Sequence, residues 1–197
     1  IQTFLLYLRA LRRRPLTPEL LAEDFGPKGS VARGLVPAFY EALTRSSDPK
    51  VKTFFAEWDR LFGIVYGQDL GKAERDAGEL ARNYGLSAGA RLKPLLFAVH
   101  TYYALLMKLL AAELVSLQSG SFVSSLTADL PGLTTREIKD RFDDLENGGL
   151  FARMGVRNFL EADFFGWYLA VWDRGIEKNL RDLARALSDF EPATGSL

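Results

Sequence analysis

One stretch decides the fold: LKPLLFAVHTYYALLMKLLAAELVSL, residues 92–117, in which the uncharged run from Pro94 to Met107 is the longest apolar stretch in the chain. A helix that spans a bilayer needs about 20 predominantly apolar residues. The uncharged run is shorter than that, and Lys108 and Glu113 interrupt the apolar residues after it. The stretch therefore predicts a long helix through the middle of a globular domain, without insertion into a membrane.

The few polar or small residues of this stretch fall on one side of the predicted helix. At about 100° per residue, a stripe about 40° wide contains Lys93, His100, Ala104 and Ala111, with Thr101 and Lys108 at its edge. Such a stripe is expected to face water, a partner element or a polar cavity. His100 could serve as a general base, but a lone histidine on a mostly buried helix is more often a hydrogen-bonded core residue.

The composition narrows the class of protein. With 197 residues the chain fits one domain with a substantial core. It has no cysteine and one histidine, which excludes a disulfide framework and argues against structural zinc, and which agrees with a cytoplasmic location. The 25 basic and 25 acidic residues cancel, so bulk charge favours neither a dedicated nucleic-acid binder nor a membrane binder. The first residue is Ile1 within an amphipathic pattern, which suggests a fragment of a longer protein.

Apolar residues recur at helical spacing throughout, and no alternating β pattern of useful length appears. The fold class predicted is all-α, an irregular multi-helix bundle around the helix at about 92–117. Within a single domain of residues 1–197 we expect an N-terminal helical hairpin at 1–46, core helices at 48–117, a loop region at 118–133 and C-terminal helices at 134–190.

Local residues place several helix ends. Pro15 should end a first helix, and Thr17 should cap a second that begins with Pro18. A turn is predicted at 24–29, followed by a helix after Asp48 that ends at Gly67 and a helix at 70–84 that ends at Gly85. A capping box from Thr134 to Glu137 should start a helix over 135–146. One long helix is predicted from Asp163 to Ser188.

The densest basic cluster consists of Arg9, Arg12, Arg13 and Arg14. These side chains could contact phosphate, or they could be the charged end of a helix that its dipole favours. Lys93 and Lys108 form a second candidate group for contact with a DNA backbone, although their helix is mostly apolar.

No catalytic motif is recognisable. GPKGSVARG lacks the spacing and the ending of a phosphate-binding loop, and no second histidine is present to complete a metal site. Adjacent carboxylates such as Asp143 and Asp144 point about 100° apart on a charged helix face, which is typical of a solvated surface. No catalytic, cofactor-binding or metal-binding residue is predicted in these 197 residues.

Three stretches together resemble a family, in the order FFAEWDRLFGIVYGQDL (54–70), LLFAVHTYYALLMKLLAAELV (95–115) and NFLEADFFGWYLAVW (158–172). They resemble the helical region that precedes the catalytic domain in large bacterial adenine-N6 DNA methyltransferases of the single-chain restriction-modification type. The most specific part is His100-Thr101-Tyr102 followed by Lys108, and the role of this signature is unknown.

The resemblance implies a parent enzyme that modifies DNA with S-adenosylmethionine, whose catalytic Asn/Asp-Pro-Pro-Tyr and glycine-rich cofactor loop would lie further along the chain. Neither motif is present here. One hypothesis is therefore a helical connector that positions the catalytic domain of the same chain and touches DNA. The other is a stand-alone helical interaction module that binds a protein or a small apolar ligand.

Overall fold

The computed structural model describes residues 14–66, 70–118, 126–153, 155–156 and 164–191. These residues form an all-α fold, which confirms the predicted fold class. Its elements are β1 (Arg14–Pro15), α1 (Pro18–Phe25), α2 (Ser30–Arg45), α3 (Pro49–Tyr66), α4 (Leu70–Asn83), α5 (Leu92–Gln118), α6 (Leu126–Asp129), a short 3-10 helix (Leu130–Gly132), α7 (Thr135–Glu146), α8 (Gly149–Arg153), a longer 3-10 helix (Phe165–Val171), α9 (Arg174–Ser188) and β2 (Phe190–Glu191).

The central helix is α5, as the apolar run predicted. Its 27 residues at about 1.5 Å each give a rod about 40 Å long. Its inner face is fully buried and includes Leu95, Phe97, Tyr102, Leu105 and Leu109. Helix α2 packs most extensively on α5, and α9 packs in turn on α2, so that apolar residues from Leu16 to Phe190 share one core.

Capping residues start several helices where the sequence predicted. The hydroxyl of Thr17 accepts a hydrogen bond from the backbone N–H of Leu20 at 3.3 Å, and Pro18 is the first residue of α1. Asp48 Oδ1 accepts from the N–H of Lys50 at 2.7 Å at the start of α3. Thr134 and Glu137 form the reciprocal capping box of α7. Each cap satisfies backbone donors that a helix N-terminus leaves without partners.

The two chain ends of the described part differ from the predictions. Residues 1–13, predicted as a helix, lie outside the described residues, and Arg14–Pro15 forms a short strand that the sequence did not predict. This β1 pairs in parallel with β2, with Arg14 opposite Phe190 and Pro15 opposite Glu191. The predicted turn at 24–29 also starts too early, because α1 continues to Phe25.

Two further corrections concern the second half of the chain. The predicted loop region at 118–133 contains α6 and the short 3-10 helix, while residues 119–125 lie outside the described part. The single helix predicted from Asp163 to Ser188 is wrong in its first half. Residues Phe165–Val171 form a 3-10 helix, and α9 begins only after Asp173, whose carboxylate accepts from the N–H of Ile176 at 2.8 Å.

Predictions for α3 and α4 hold where they can be compared. Helix α3 ends at Tyr66, and Gly67, predicted to end it, lies outside the described residues. Helix α4 ends at Asn83 and is followed by Gly85 with a φ of 80°, a conformation that glycine adopts without steric cost.

Candidate functional site

His100 binds the side chain of Trp58, so α5 and α3 are joined through a polar contact. The indole N–H of Trp58 donates to Nδ1 of His100 at 3.1 Å, and the Phe62 ring centre lies 5.5 Å from the imidazole. Because Nδ1 accepts, a neutral imidazole here carries its proton on Nε2. Burial lowers the pKa of His100 and so favours this neutral form. His100 is therefore hydrogen-bonded and half-buried, which favours a core residue over a general base.

Thr101 and Tyr102, the next two residues of the family-like signature, also bind other parts of the fold. Thr101 Oγ1 accepts from the indole N–H of Trp167 at 2.8 Å and donates to the carbonyl of Phe97 at 2.8 Å. The Tyr102 hydroxyl donates to the carbonyl of Phe25 at 2.9 Å. Burial raises the pKa of Tyr102, which keeps the phenol protonated as a donor. Consecutive residues of α5 therefore attach three different elements to it.

An aromatic cluster surrounds Phe97, one turn before this signature. Its ring centre lies 5.2 to 6.0 Å from four other rings, two on α3 and two on the longer 3-10 helix: Phe55, Trp58, Phe165 and Trp167. Aromatic pairs at such distances add to the stability gained from burial alone. The cluster brings together residues from all three stretches that carry the family resemblance.

Lys108 is buried and paired, so it must be removed from the candidate DNA contacts. Its ammonium group contacts the carboxylate of Glu146 at the end of α7, and both side chains are 4% exposed. The hydroxyl of Tyr168 donates to the other oxygen of this carboxylate at 2.8 Å. Burying a lysine requires such a partner, because an isolated charge in a low-dielectric core is strongly unfavourable. Periodicity could place Lys108 at the edge of a polar stripe but could not reveal Glu146.

The other candidate phosphate contacts are neutralised or lie outside the described part. Arg12 and Arg13 belong to residues 1–13, which are not described. Arg14 bonds the carboxylate of Asp24. Lys93 lies 2.8 Å from the carboxylate of Asp59. Neither Arg14 nor Lys93 thus offers an uncompensated charge to a phosphate.

Three exposed arginines from separate elements lie around the loop of residues 84–91, and sequence reasoning missed them. They are Arg33 on α2, Arg82 on α4 and Arg91 just before α5, and we call them the arginine patch. A Cβ placed on Gly85 would lie 3.4 Å from Nε of Arg33, and a Cβ placed on Gly78 would lie 3.4 Å from the carbonyl oxygen of Ala88 and 3.7 Å from Nη1 of Arg82. The Arg91 N–H donates to the Tyr40 hydroxyl at 3.0 Å.

Within the described part of the chain, no member of the arginine patch has an ion-pair partner. The three residues are far apart in sequence, so they form no charge run, and only the fold brings them to one loop. One sequence feature could have indicated them: residues 84–91 contain no carboxylate, while Gly85 and Gly89 mark a turn.

Large apolar side chains are exposed at the end of α3 and on α5. Ile64 is 72% exposed and Val65 68%, while Met107 is 63% exposed on α5. Single exposed apolar residues are common on soluble proteins, but neighbouring ones can mark an interaction surface.

A cleft of about 460 Å³ lies between α2 and the start of α9. Its charged wall residues are already engaged, because Glu41 pairs with Arg45 at 3.2 Å and Asp173 caps α9. The cleft therefore presents no free charged group among its described wall residues. Among the described residues, no group of three or more His, Asp or Glu side chains could hold a metal ion.

Within the described part, Leu92–Val115 of α5 is the one segment long and apolar enough to cross a membrane by length and composition. The uncharged run from Pro94 to Met107 had appeared too short to cross a membrane, but this segment also includes the apolar residues on either side of Lys108 and Glu113. However, 61% of the most apolar window is buried inside the protein. This degree of burial is typical of the core helix of a soluble protein, in agreement with the interpretation of α5 as a core element.

No family model matches the chain, and neither a curated protein nor a solved structure shows a significant similarity to it.

Proposed function

We propose that this chain is the helical connector of a DNA adenine-N6 methyltransferase of the single-chain restriction-modification type. It has no catalytic motif of its own, and it positions the catalytic domain of the same parent chain and contacts DNA. The parent enzyme works in the cytoplasm and binds S-adenosylmethionine through its catalytic domain. These statements extend the resemblance of the three sequence stretches.

The observation that supports the proposal is the convergence of those three stretches on one aromatic cluster. Trp58 from the first and Trp167 from the third donate to consecutive residues of the second, His100 and Thr101. Phe97 packs against rings from both. Similarity spread over separate stretches carries more weight when the stretches build one structural unit, because the pattern then corresponds to a common core.

The structure suits a connector because its central rod is held at many points. Each neutral side-chain hydrogen bond to α5 contributes about 0.5–1.5 kcal/mol, and the aromatic pairs around Phe97 add about 0.5–1.5 kcal/mol each beyond burial. Such a core resists bending between its ends. A rigid connector keeps a fixed distance between the domains that it joins, which is what positioning a catalytic domain on DNA requires.

The test is a methylation assay on the complete natural polypeptide that contains these residues. We expect an Asn/Asp-Pro-Pro-Tyr motif and a glycine-rich loop in that polypeptide, and transfer of tritiated methyl groups from S-adenosylmethionine to adenine in duplex DNA. The isolated 197 residues should give no saturable binding of S-adenosylmethionine in a calorimetric titration. A complete polypeptide without these motifs and without methyl transfer would refute the proposal, as would micromolar cofactor binding by the isolated chain.

A second candidate is a stand-alone interaction module, which the exposed Ile64, Val65 and Met107 favour. Under this alternative the complete polypeptide would contain no methyltransferase motif. In addition, Ile64→Ser and Val65→Ser would abolish the binding of a protein or of a small apolar ligand. The connector hypothesis instead predicts that methyl transfer depends on the presence of these 197 residues.

A further inference from the structure

We propose that the arginine patch, Arg33, Arg82 and Arg91, binds the phosphate backbone of duplex DNA. This inference rests on the proposed function and assigns a surface to the DNA contact. None of these residues belongs to the basic cluster that the sequence alone suggested.

Among the described residues, no carboxylate forms an ion pair with a member of the patch. Elsewhere on the described surface many basic residues have carboxylate partners, such as Arg45 with Glu41, Arg153 with Asp144 and Lys178 with Asp182. Other described basic residues, such as Lys139 and Arg174, also have no ion-pair partner in this part of the chain. The patch differs from them because three such residues lie around one loop. Charges of one sign attract an oppositely charged ligand most strongly where no fixed counter-charge competes with it.

The loop that the arginines flank is open to a phosphate backbone. Residues 84–91 contain no carboxylate, and Ser87, Ala88 and Gly89 are small and exposed. Small side chains allow a phosphate backbone to approach the loop closely. The nearest carboxylate along the chain is that of Glu79, one helical turn before Arg82, which leaves the local balance positive.

Hydrogen bonds hold this loop in place. Leu86 N–H donates to the carbonyl of Ala81 at 2.8 Å, Ala90 N–H to that of Ser87 at 3.1 Å, and Arg91 N–H to the hydroxyl of Tyr40 at 3.0 Å. A fixed loop keeps the backbone of Arg91 in place beside α2 and α4, the helices that carry Arg33 and Arg82. Guanidinium groups bind phosphate oxygens through two parallel N–H donors, so three of them around one loop can contact several phosphates of one backbone.

The experiment measures binding of the whole 197-residue chain to a fluorescein-labelled 20-base-pair duplex of mixed sequence by anisotropy, between 50 and 200 mM NaCl. Three phosphate contacts give a slope of about −2.7 for log affinity against log salt, which is about a 40-fold loss over this range. Arg33→Gln/Arg82→Gln/Arg91→Gln should remove this slope and most of the binding.

The matched control removes three other exposed arginines, Arg136→Gln/Arg141→Gln/Arg174→Gln, and should retain the slope of the parent chain. The charge-preserving variant Arg33→Lys/Arg82→Lys/Arg91→Lys should restore most of the binding, which separates charge from folding. Thermal melts of all variants check that the fold is intact.

The proposal is overturned if the parent chain fails to bind the duplex at 50 mM salt, if the Gln variant of the patch retains the full slope, or if the control loses as much as the patch variant. Preference for an RNA hairpin of equal length over the duplex would overturn the choice of partner. These outcomes are independent of the methylation assay. DNA binding through the patch without methyl transfer would refute only the proposed function, and methyl transfer with unchanged DNA binding by the patch variant would refute only the patch.

Discussion

The substitution Lys108→Met probes the buried pair that joins α5 to the end of α7. It removes the ammonium group but leaves the carboxylate of Glu146, which is 4% exposed, without its charged partner. Breaking a buried ion pair from one side typically costs about 3–5 kcal/mol. Since domains of this kind have a total stability of about 5–15 kcal/mol, this single change should remove a large part of the free energy of unfolding.

The double variant Lys108→Met/Glu146→Gln should recover most of that loss. Replacing both members of a buried pair is often close to neutral, and the Gln carbonyl can still accept from the Tyr168 hydroxyl, now 2.8 Å from Glu146. Urea unfolding followed by tryptophan fluorescence gives the free energies. Lys139→Met on the exposed face of α7 is the control and should change stability by less than about 0.5 kcal/mol.

A cost below about 1 kcal/mol for Lys108→Met would refute this account of the pair, since a buried carboxylate that has lost its cationic partner is strongly unfavourable. The account would also fail if the double variant were as unstable as the sum of the two single variants. Additivity would mean that the two side chains act independently, whereas contacting residues show interaction energies of about 0.5–3 kcal/mol.

Three further predictions concern α5 and its neighbours. Leu105→Ala should lower the free energy of unfolding by about 2–5 kcal/mol in urea titrations, because Leu105 is fully buried; a loss under about 1 kcal/mol would show that α5 is not the core. His100 has a lowered pKa in the folded protein, so the unfolded chain binds its proton first. Stability should therefore be complete above about pH 6.5 and fall as the pH drops through the native pKa. It is the only histidine in the chain, so His100→Gln should abolish this pH dependence between about pH 5 and 7, and an unchanged profile would contradict the assignment. Gly85→Ala should cost about 1 kcal/mol or more in a thermal melt, because its φ is 80°; an equal melting temperature would show that the turn relaxes freely.

Much of the fold could be predicted because local chemistry decides helix starts. Thr17, Asp48 and Thr134 cap helices where the sequence placed them, since each is a short oxygen-bearing side chain directly before a helical pattern. The central helix was predictable for a related reason, because only a buried helix tolerates so long an apolar run in a soluble domain.

The failures have a physical cause of their own. Residues Phe165–Val171 have the spacing of an amphipathic α-helix but form a 3-10 helix, because their placement depends on tertiary contacts such as that of Trp167 with Thr101. Spacings of three and four residues do not distinguish the two helix types over so short a segment. Asp173, a capping residue within the pattern, was the local feature that marked the true start of α9.

Candidate contacts with DNA were the least predictable part, because a basic side chain is available to a phosphate only if no carboxylate of the folded protein neutralises it. Arg14 and Lys93 looked available in the sequence and are paired in the fold, and Lys108 looked marginal and is buried. Their partners Asp24, Asp59 and Glu146 include residues up to 38 positions away. Nothing in a single sequence specifies such pairs. Nor does it specify that Arg33, Arg82 and Arg91 lie around one loop with no ion-pair partner among the described residues.

The parallel pairing of β1 with β2 gives the fold a defined mechanical response. The two strands run in the same direction, with Arg14 beside Phe190 and the N–H of Arg14 donating to the carbonyl of Asp189 at 2.8 Å. Tension applied before residue 14 and after residue 191 would pull the strands past each other along their length. Such a load acts in shear, so the hydrogen bonds between the strands must break together instead of opening one after another. Helices α1 and α9 would therefore bear no force until the pairing of β1 with β2 has broken.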